Sequence, residues 1–349
     1  MSRYSLHEVR KQTLALPSDF PDLLHAAKRD AARAITSAHR IERVIVLGSG
    51  DSLNAAVACR TAFTTAGTAE FVAMSPDEFL RFPPPNQRLP DHVLVIGVSA
   101  SGANPALVQA LASTRLAGCQ TVAVTAEQSS PLATTAHNTV VVKTGSTLPS
   151  PGIRTYQASV VALLCLARQL FRGHHYFEGL DDVETLSDAI SESIELATAM
   201  APKLATHLCG VPVVVVAGFG PMVGTARHIA AKVTESAAVP AFGVGLDDWW
   251  HVHRFGHAAG QPLLVIATPG RGHEHAVAMM QRISARRPVI TLTAVDDSAT
   301  HTASMAALES VTVAGGVPEV ARPLTDHVLG GPLAAELAHA RNMVPFANP

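Results

Sequence analysis

The sequence predicts an α/β protein built from two tandem units, each a parallel sheet with helices on both faces. Two observations carry this. The first is an internal repeat at a constant offset of 170 residues. Gly48-Ser49-Gly50 after Val44-Ile45-Val46-Leu47 is matched by Gly218-Phe219-Gly220 after Val214-Val215-Val216-Ala217. Leu94-Val95-Ile96 is matched by Leu264-Val265-Ile266, and Thr121-Val122 by Thr291-Leu292. Similarity at a fixed spacing marks two copies of one structural unit. The second observation is compositional. Apolar residues make up 48% of the chain and aromatics only 5%, so the core is Val, Ala, Leu and Ile, as doubly covered parallel strands require.

The elements follow in order. Residues 1–40 read as a helical segment, with Leu16, Phe20, Leu23 and Leu24 as packing positions. The first α/β domain spans 41–180, with strands expected at 44–47, 93–98, 121–125 and 139–143. Helix-length segments separate them, the alternation that gives a parallel sheet. Gly173 to Gly179 is a turn-rich break, followed by a helix from Asp181 to Ala205. The second domain runs over 181–330, with strands at 213–217, 263–267, 289–294 and 310–313, and a tail closes the chain over 331–349.

Composition excludes several classes. A net charge of -2 without a basic face argues against nucleic acid as a partner. The apolar runs are strand-sized, so no membrane span is expected, and Met1 to Lys11 lacks a secretory apolar core. Cys59, Cys119, Cys165 and Cys209 show no CxxC spacing and read as reduced core residues of a cytoplasmic protein. The cations are 21 Arg against five Lys, which draws notice to each Lys, because only an amine can lose its proton and form an imine.

The two copies differ where strands end. The first offers Gly48-Ser49-Gly50-Asp51-Ser52 and Ser99-Ala100-Ser101-Gly102-Ala103-Asn104, hydroxyls and glycines at strand-to-helix turns. Such turns present free N–H groups and the positive end of a helix dipole, a seat for a phosphate. Ser-rich N-caps are the plain alternative. Thr147-Leu148-Pro149-Ser150-Pro151 is a third loop expected at the same point. Gly48-x-Gly50 is not a dinucleotide fingerprint, since Leu53 stands where the third Gly is needed, so a dehydrogenase is disfavoured and no cofactor is expected. In the second copy Lys232 and Glu235 share a helix face, with His228 one turn earlier. A surface ion pair is the ordinary reading, but this helix is largely apolar, which favours a functional pair. Asp247-Asp248-Trp249-Trp250-His251-Val252-His253 holds both Trp residues and suggests a pocket wall or an interface. Neither His251-x-His253 nor His273-x-His275 has a complete ligand set nearby, so no metal is expected.

Together these residues resemble the sugar isomerase (SIS) family. The match is to its double-SIS, flavodoxin-like module, found in glutamine–fructose-6-phosphate aminotransferase and in stand-alone amino-sugar-phosphate deaminases and deglycases. The family's phosphate loops are matched by Gly50-Asp51-Ser52, Ser99-Ala100-Ser101-Gly102 with Asn104, and loosely by Pro149-Ser150-Pro151-Gly152. Its Lys-x-x-Glu helix is matched by Lys232-Val233-Thr234-Glu235, and its Glu-x-x-His by Asp248-Trp249-Trp250-His251. The resemblance implies two α/β/α layers of the SIS type and a phosphorylated sugar or amino sugar as ligand. It places Gly50, Ser52, Ser99, Ser101, Gly102, Asn104 and Ser150 on the phosphate. Glu235 becomes the general base at carbons 1 and 2, with Lys232 beside it. His251 opens the ring from the partner subunit of a homodimer, and Asp248, Trp250 and Arg341 are further substrate-site candidates. Two features depart from the family. Val252-His253 replaces its Gly-Pro, and Pro345 stands where its tail Lys forms an imine. The sequence contains no glutaminase domain, so glutamine-fed amidotransfer by this chain alone is not expected, and a separate ammonia donor is left open. The expected activity is aldose–ketose isomerisation or amino-sugar-phosphate deamination, the alternative being a non-catalytic sugar-phosphate-binding regulator.

Overall fold

The computed structural model describes residues 4–36, 41–65, 69–84, 90–145, 148–303 and 307–347. It contains two five-stranded sheets, both wholly parallel. The first holds β1 (Arg43–Leu47), β2 (Glu70–Met74), β3 (Val93–Val98), β4 (Gln120–Thr125) and β5 (Asn138–Val141), ordered β2-β1-β3-β4-β5. The second holds β6 (Val214–Gly218), β7 (Ala241–Gly245), β8 (Leu263–Ile266), β9 (Val289–Ala294) and β10 (Glu309–Val313), ordered β7-β6-β8-β9-β10. The strand order is therefore the same in both, and the fold is two tandem α/β/α units as the repeat predicts.

The repeat also fixes part of the register. Val44 pairs with Phe71, and 170 residues on Val214 pairs with Ala241. Leu94 pairs with Gln120, and Leu264 with Ile290. Two pairs slip: Val44 faces Leu94 but Val216 faces Leu264, a shift of two residues, and Val122 faces Asn138 but Leu292 faces Val311, a shift of three. The even slip between the central strands leaves their side chains on their own faces.

The expected strands are all present, and each sheet gains one more. β2 and β7 are edge strands whose residues are mostly half-exposed. They lack the unbroken apolar run of a central strand, and Gly243 and Gly245 weaken the signal of β7 further. The tail also differs from expectation. Gly330–Ala340 is a helix, almost wholly buried. Its opening Gly330-Gly331-Pro332 reads as a turn, but Pro is tolerated in a first helical turn, where its missing N–H costs nothing.

The chain forms two compact units whose boundaries are not simply consecutive. One comprises Asp19–Gly145 with Arg154–Glu178, and carries the first sheet. The other comprises Met1–Ser18, Ser146–Ile153 and Gly179–Pro349, and carries the second. In the first unit the helix Arg154–Leu170 is buried along most of its length, and Arg154 is paired with Asp19. In the second, the helix Val183–Leu208 is capped by Asp182, whose carboxylate accepts the Thr185 N–H at 3.1 Å. Cys59, Cys119 and Cys165 are buried, and burial pushes the Cys59 and Cys119 thiols upward in pKa. Among the described residues no helix is long and apolar enough to cross a membrane.

Candidate functional site

At the carboxyl end of the first sheet, two helices begin side by side. The helix Asp51–Ala58 starts at Gly50, which has a φ of 55°. The helix Pro105–Leu116 is capped by Asn104, whose side-chain oxygen accepts the Leu107 N–H at 3.1 Å. Between them lies an open depression of about 500 Å³, lined by Ser49, Ser52, Ser99, Ser101 and Asn104 among others. Ser99 Oγ accepts the Gly102 N–H at 3.2 Å, and Ser101 Oγ accepts the Ala103 N–H at 3.4 Å. A hydroxyl that accepts still has its proton to donate, so both serines are oriented donors. Among the described residues, no Lys or Arg lines the depression. An anion there is met by hydroxyls and by two helix N-termini.

Gly102 makes this loop possible. Its φ is 61°, and a Cβ there would lie 2.2 Å from Ser130 Oγ. Its carbonyl accepts the Leu132 N–H at 3.0 Å, which ties the loop to the next strand-to-helix connection. Two sequence expectations change. Asn104 caps its helix with its carbonyl oxygen, so that atom is committed to the backbone. Ser150 is not among the residues lining the depression. It falls in the segment Ser146–Ile153 of the other unit, where its hydroxyl donates to the Pro151 carbonyl at 3.2 Å.

Lys232 and Glu235 lie on the helix Met222–Ala237 of the second unit. Lys232 is fully buried, and its ammonium lies 2.7 Å from Glu235 Oε2. A buried amine of this kind is tolerable only with a counter-charge, which the carboxylate supplies. Glu235 itself is 31% exposed and borders a pocket of about 490 Å³. The chain end closes one side of it. Phe346 donates its N–H to the Glu235 carbonyl at 2.7 Å, and Pro345 is buried. Arg341 is not in this pocket. It donates to the carbonyls of Ala237 at 3.2 Å and Cys209 at 2.6 Å, the last carbonyls of two helices. That is a C-capping role, and it corrects the expectation that Arg341 meets substrate.

His251 ends the short helix Leu246–His251 and is exposed, as is Asp248. Its place relative to Glu235 follows from topology. The helix Met222–Ala237 leaves the carboxyl end of β6 and returns to the amino end of β7, where Thr234 Oγ1 accepts the Ala241 N–H at 3.1 Å. β7 then crosses the sheet before His251 is reached. Glu235 and His251 therefore lie beyond opposite ends of β7, a strand about 16 Å long. Trp250 is a core residue rather than a pocket wall. It is 7% exposed and packed between the Arg254 and Arg282 guanidiniums, each 4.3 Å from its ring. Among the described residues, no group of three or more His, Cys, Asp or Glu side chains is placed to hold a metal ion.

Comparison with known proteins fits this geometry. The SIS domain model matches residues 37–168, which include the whole serine-lined depression. No curated protein matches the sequence significantly. Solved structures match over both units. The C-terminal domain of glucosamine-fructose-6-phosphate aminotransferase from Francisella tularensis superposes with a TM-score of 0.85 at 13% identity, covering 97% of this chain and 98% of that one. Glucosamine-6-phosphate deaminase from Thermotoga maritima gives 0.76 at 14% identity, covering 99% and 98%. Tagatose-6-phosphate ketose/aldose isomerase from Escherichia coli gives 0.71 at 15% identity, covering 97% and 93%. At these identities the likeness is one of fold.

The carboxyl end of the second sheet shows what the SIS domain has and its repeat lacks. Ser49, Ser99 and Ser101 become Phe219, Pro269 and Arg271 at the 170-residue offset. The Phe219 ring fills the space, and a Cβ on Gly272 would lie 2.4 Å from it. Arg271 pairs with Glu319 at 3.1 Å. What remains is a gap of about 20 Å³. Below it, a buried network that the sequence did not signal joins Asp326 to Thr268 at 2.6 Å and to Thr325 at 3.0 Å. Burial pushes the Asp326 carboxyl up, opposed by Arg322 and by the two hydroxyls. Phe242 and Phe346, which line the Glu235 pocket, were also missed, because a single aromatic residue in an edge strand or a tail carries no pattern.

Proposed function

We propose that this protein is an enzyme acting on a phosphorylated sugar or amino sugar, moving a proton between adjacent carbons. The observation that carries the reading is the Lys232–Glu235 pair: a fully buried amine held 2.7 Å from a carboxylate that reaches a pocket. Burying a charge pair carries a desolvation cost, and a carboxylate at a cavity edge is well placed to take a proton. Glu235 would remove the proton from carbon 1 or 2 of an open-chain sugar and return it to the neighbour, giving aldose–ketose isomerisation. Lys232 would stabilise the oxygen or nitrogen on which charge develops. Where carbon 2 bears nitrogen, the same proton shift leads toward loss of ammonia. Ser52, Ser99 and Ser101 would hold the phosphate with the N–H groups of their loops.

His251 of one copy would open the ring at the Glu235 site of another, since the two lie beyond opposite ends of one strand. This supports a homodimer as the working form. The fold it shares with a deaminase and a ketose/aldose isomerase agrees with this class of chemistry. The buried Pro345 favours a reaction without an imine to a tail lysine.

The test is deuterium exchange. The protein is incubated in D2O with glucosamine 6-phosphate, fructose 6-phosphate or glucose 6-phosphate, and the carbon 1 and 2 protons are followed by NMR. Exchange into one ligand, reduced by about 10²- to 10⁴-fold in Glu235→Gln, is expected. Exchange that survives the substitution would remove Glu235 as the base. Binding without exchange of any ligand would favour a regulatory binder instead.

A further inference from the structure

We infer that the amino end of the first sheet holds a second ligand site, one that takes a neutral two-ring aromatic molecule with a single N–H or O–H donor. The inference does not depend on the Glu235 reading, because every residue of this site lies in the unit that carries the first sheet.

The site is a cavity of about 330 Å³. Arg43 and Ile45 of β1, with Val93 and Val95 of β3, line it from the sheet. They alternate along their strands and so share one face. The helix Pro76–Arg81 adds Phe79, and the end of the helix Pro105–Leu116 adds Ser113 and Thr114. Ile45, Phe79, Val93 and Val95 belong to one buried apolar cluster, so the cavity is a gap in a core. Protein interiors are packed as densely as organic crystals, and few voids in them exceed a water molecule. An apolar cavity of about 150 Å³ takes a benzene ring, so one of roughly twice that volume has room for two fused rings. Two exposed apolar residues stand beside the lining. Phe82, 75% exposed, precedes Pro83, and Leu116, 90% exposed, precedes Ala117, both of which line the cavity. Exposed apolar surface around a cavity is a mark of ligand entry.

The few polar groups set the polarity of the ligand. Thr114 Oγ1 donates to the carbonyls of Ala110 at 3.1 Å and Leu111 at 3.0 Å. Ser113 Oγ donates to the Ala110 carbonyl at 2.8 Å. Both protons are spent on the helix's own backbone, so both hydroxyls meet the cavity as acceptors. Among the described residues Arg43 is the only charged one in the lining. Its guanidinium donates to Glu70 Oε2 at 2.7 and 3.0 Å, so its charge is matched within the sheet. Burial pushes the Cys119 thiol up and keeps it neutral. An anion would enter without a countercharge of its own, and a ring without a donor would leave the hydroxyl acceptors unmatched. A neutral ring with one donor meets both demands, and its apolar body removes the walls from water. The serine depression at the other end of the same sheet asks the reverse, since its hydroxyls donate and its helix N-termini favour an anion.

The test is calorimetric titration of the full chain with three probes of one shape: indole, 1-methylindole, which lacks the donor, and indole-5-carboxylate, which adds a charge. Indole is expected to bind saturably, about tenfold more tightly than 1-methylindole and at least about tenfold more tightly than the carboxylate. Ala117→Phe, at an exposed position of the lining, should abolish binding of all three. Thr114→Val together with Ser113→Ala should bring indole and 1-methylindole to within about threefold of each other. Thr114 is buried, so Ser113→Ala alone, at an exposed position, keeps the test valid if the double variant fails to fold, and it should narrow the ratio part of the way. Absence of saturable indole binding overturns the inference. So does binding that Ala117→Phe leaves untouched, tighter binding of the carboxylate, or equal binding of indole and 1-methylindole. Deuterium exchange into phosphosugars is read separately, so this site and the Glu235 assignment stand or fall apart.

Discussion

The carboxyl ends of the two sheets share a strand order and a Gly-x-Gly turn, yet one is an open depression of about 500 Å³ and the other a gap of about 20 Å³. The difference lies in a handful of side chains. Where the first end places serines, the second places an aromatic ring, a proline and an Arg–Glu pair. The same framework thus ends in an open depression in one copy and in a plug in the other. In the second copy the Lys232–Glu235 pair lies elsewhere, toward the amino end of the sheet. Repetition of a fold fixes where a site can be built, and the side chains decide whether it is.

The comparison breaks most visibly at its glycines. Gly102→Ala forces a Cβ against Ser130 at a positive φ, so the serine loop must move. Affinity for fructose 6-phosphate, read by titration, should fall about a hundredfold, as expected from losing two charge-assisted hydrogen bonds at about 1.4 kcal/mol each. Gly272→Ala at the plugged end collides with Phe219 instead. It should cost about 1–3 kcal/mol of stability in a denaturant melt and leave sugar-phosphate affinity as it was. If the two glycines behaved the other way round, the open end would not be the ligand seat. Ser99→Ala and Ser101→Ala should each weaken phosphate binding roughly tenfold, while Ser150→Ala, outside the depression, leaves it unchanged.

The smallest effect sharpens the contrast from the second unit, where polar groups serve packing. His257 is buried and accepts the Trp249 indole N–H at 3.3 Å, and burial, then Arg287, hold its pKa down to about 4. The unfolded chain binds a proton at this histidine from about pH 6.5 downward, before the folded one does. Its contribution is therefore whole above pH 6.5 and is lost as pH falls toward 4. The melting temperature should decline across that window, and the decline should be shallower in His257→Gln, whose amide oxygen can still accept the indole proton.

Much of this was legible in the sequence because parallel sheets demand continuous apolar runs, and three pairs of such runs recur 170 residues apart. The edge strands were hidden, since half-exposed residues interrupt the pattern that marks a strand. Lys232 and Glu235 stood out because a charged pair on an apolar helix conflicts with its surroundings, and such conflicts survive in one dimension. Arg341 and Trp250 misled for the opposite reason. Arg and Trp suit binding sites, but they suit caps and cation–π stacks equally well, and only packing separates the two uses. Ser150 failed on topology: the loop that carries it belongs with the second sheet, and nothing local to its sequence says so.

The placement of Glu235 and His251 beyond opposite ends of β7 has a genetic consequence. If an active centre takes its base from one chain and its ring-opening histidine from another, two dead proteins can rescue each other. In a hybrid of Glu235→Gln with His251→Ala, one centre holds both defects and the other holds none. Random mixing makes half the pairs hybrid, so about a quarter of full activity should return. Two alleles that are each null alone would then complement when expressed together.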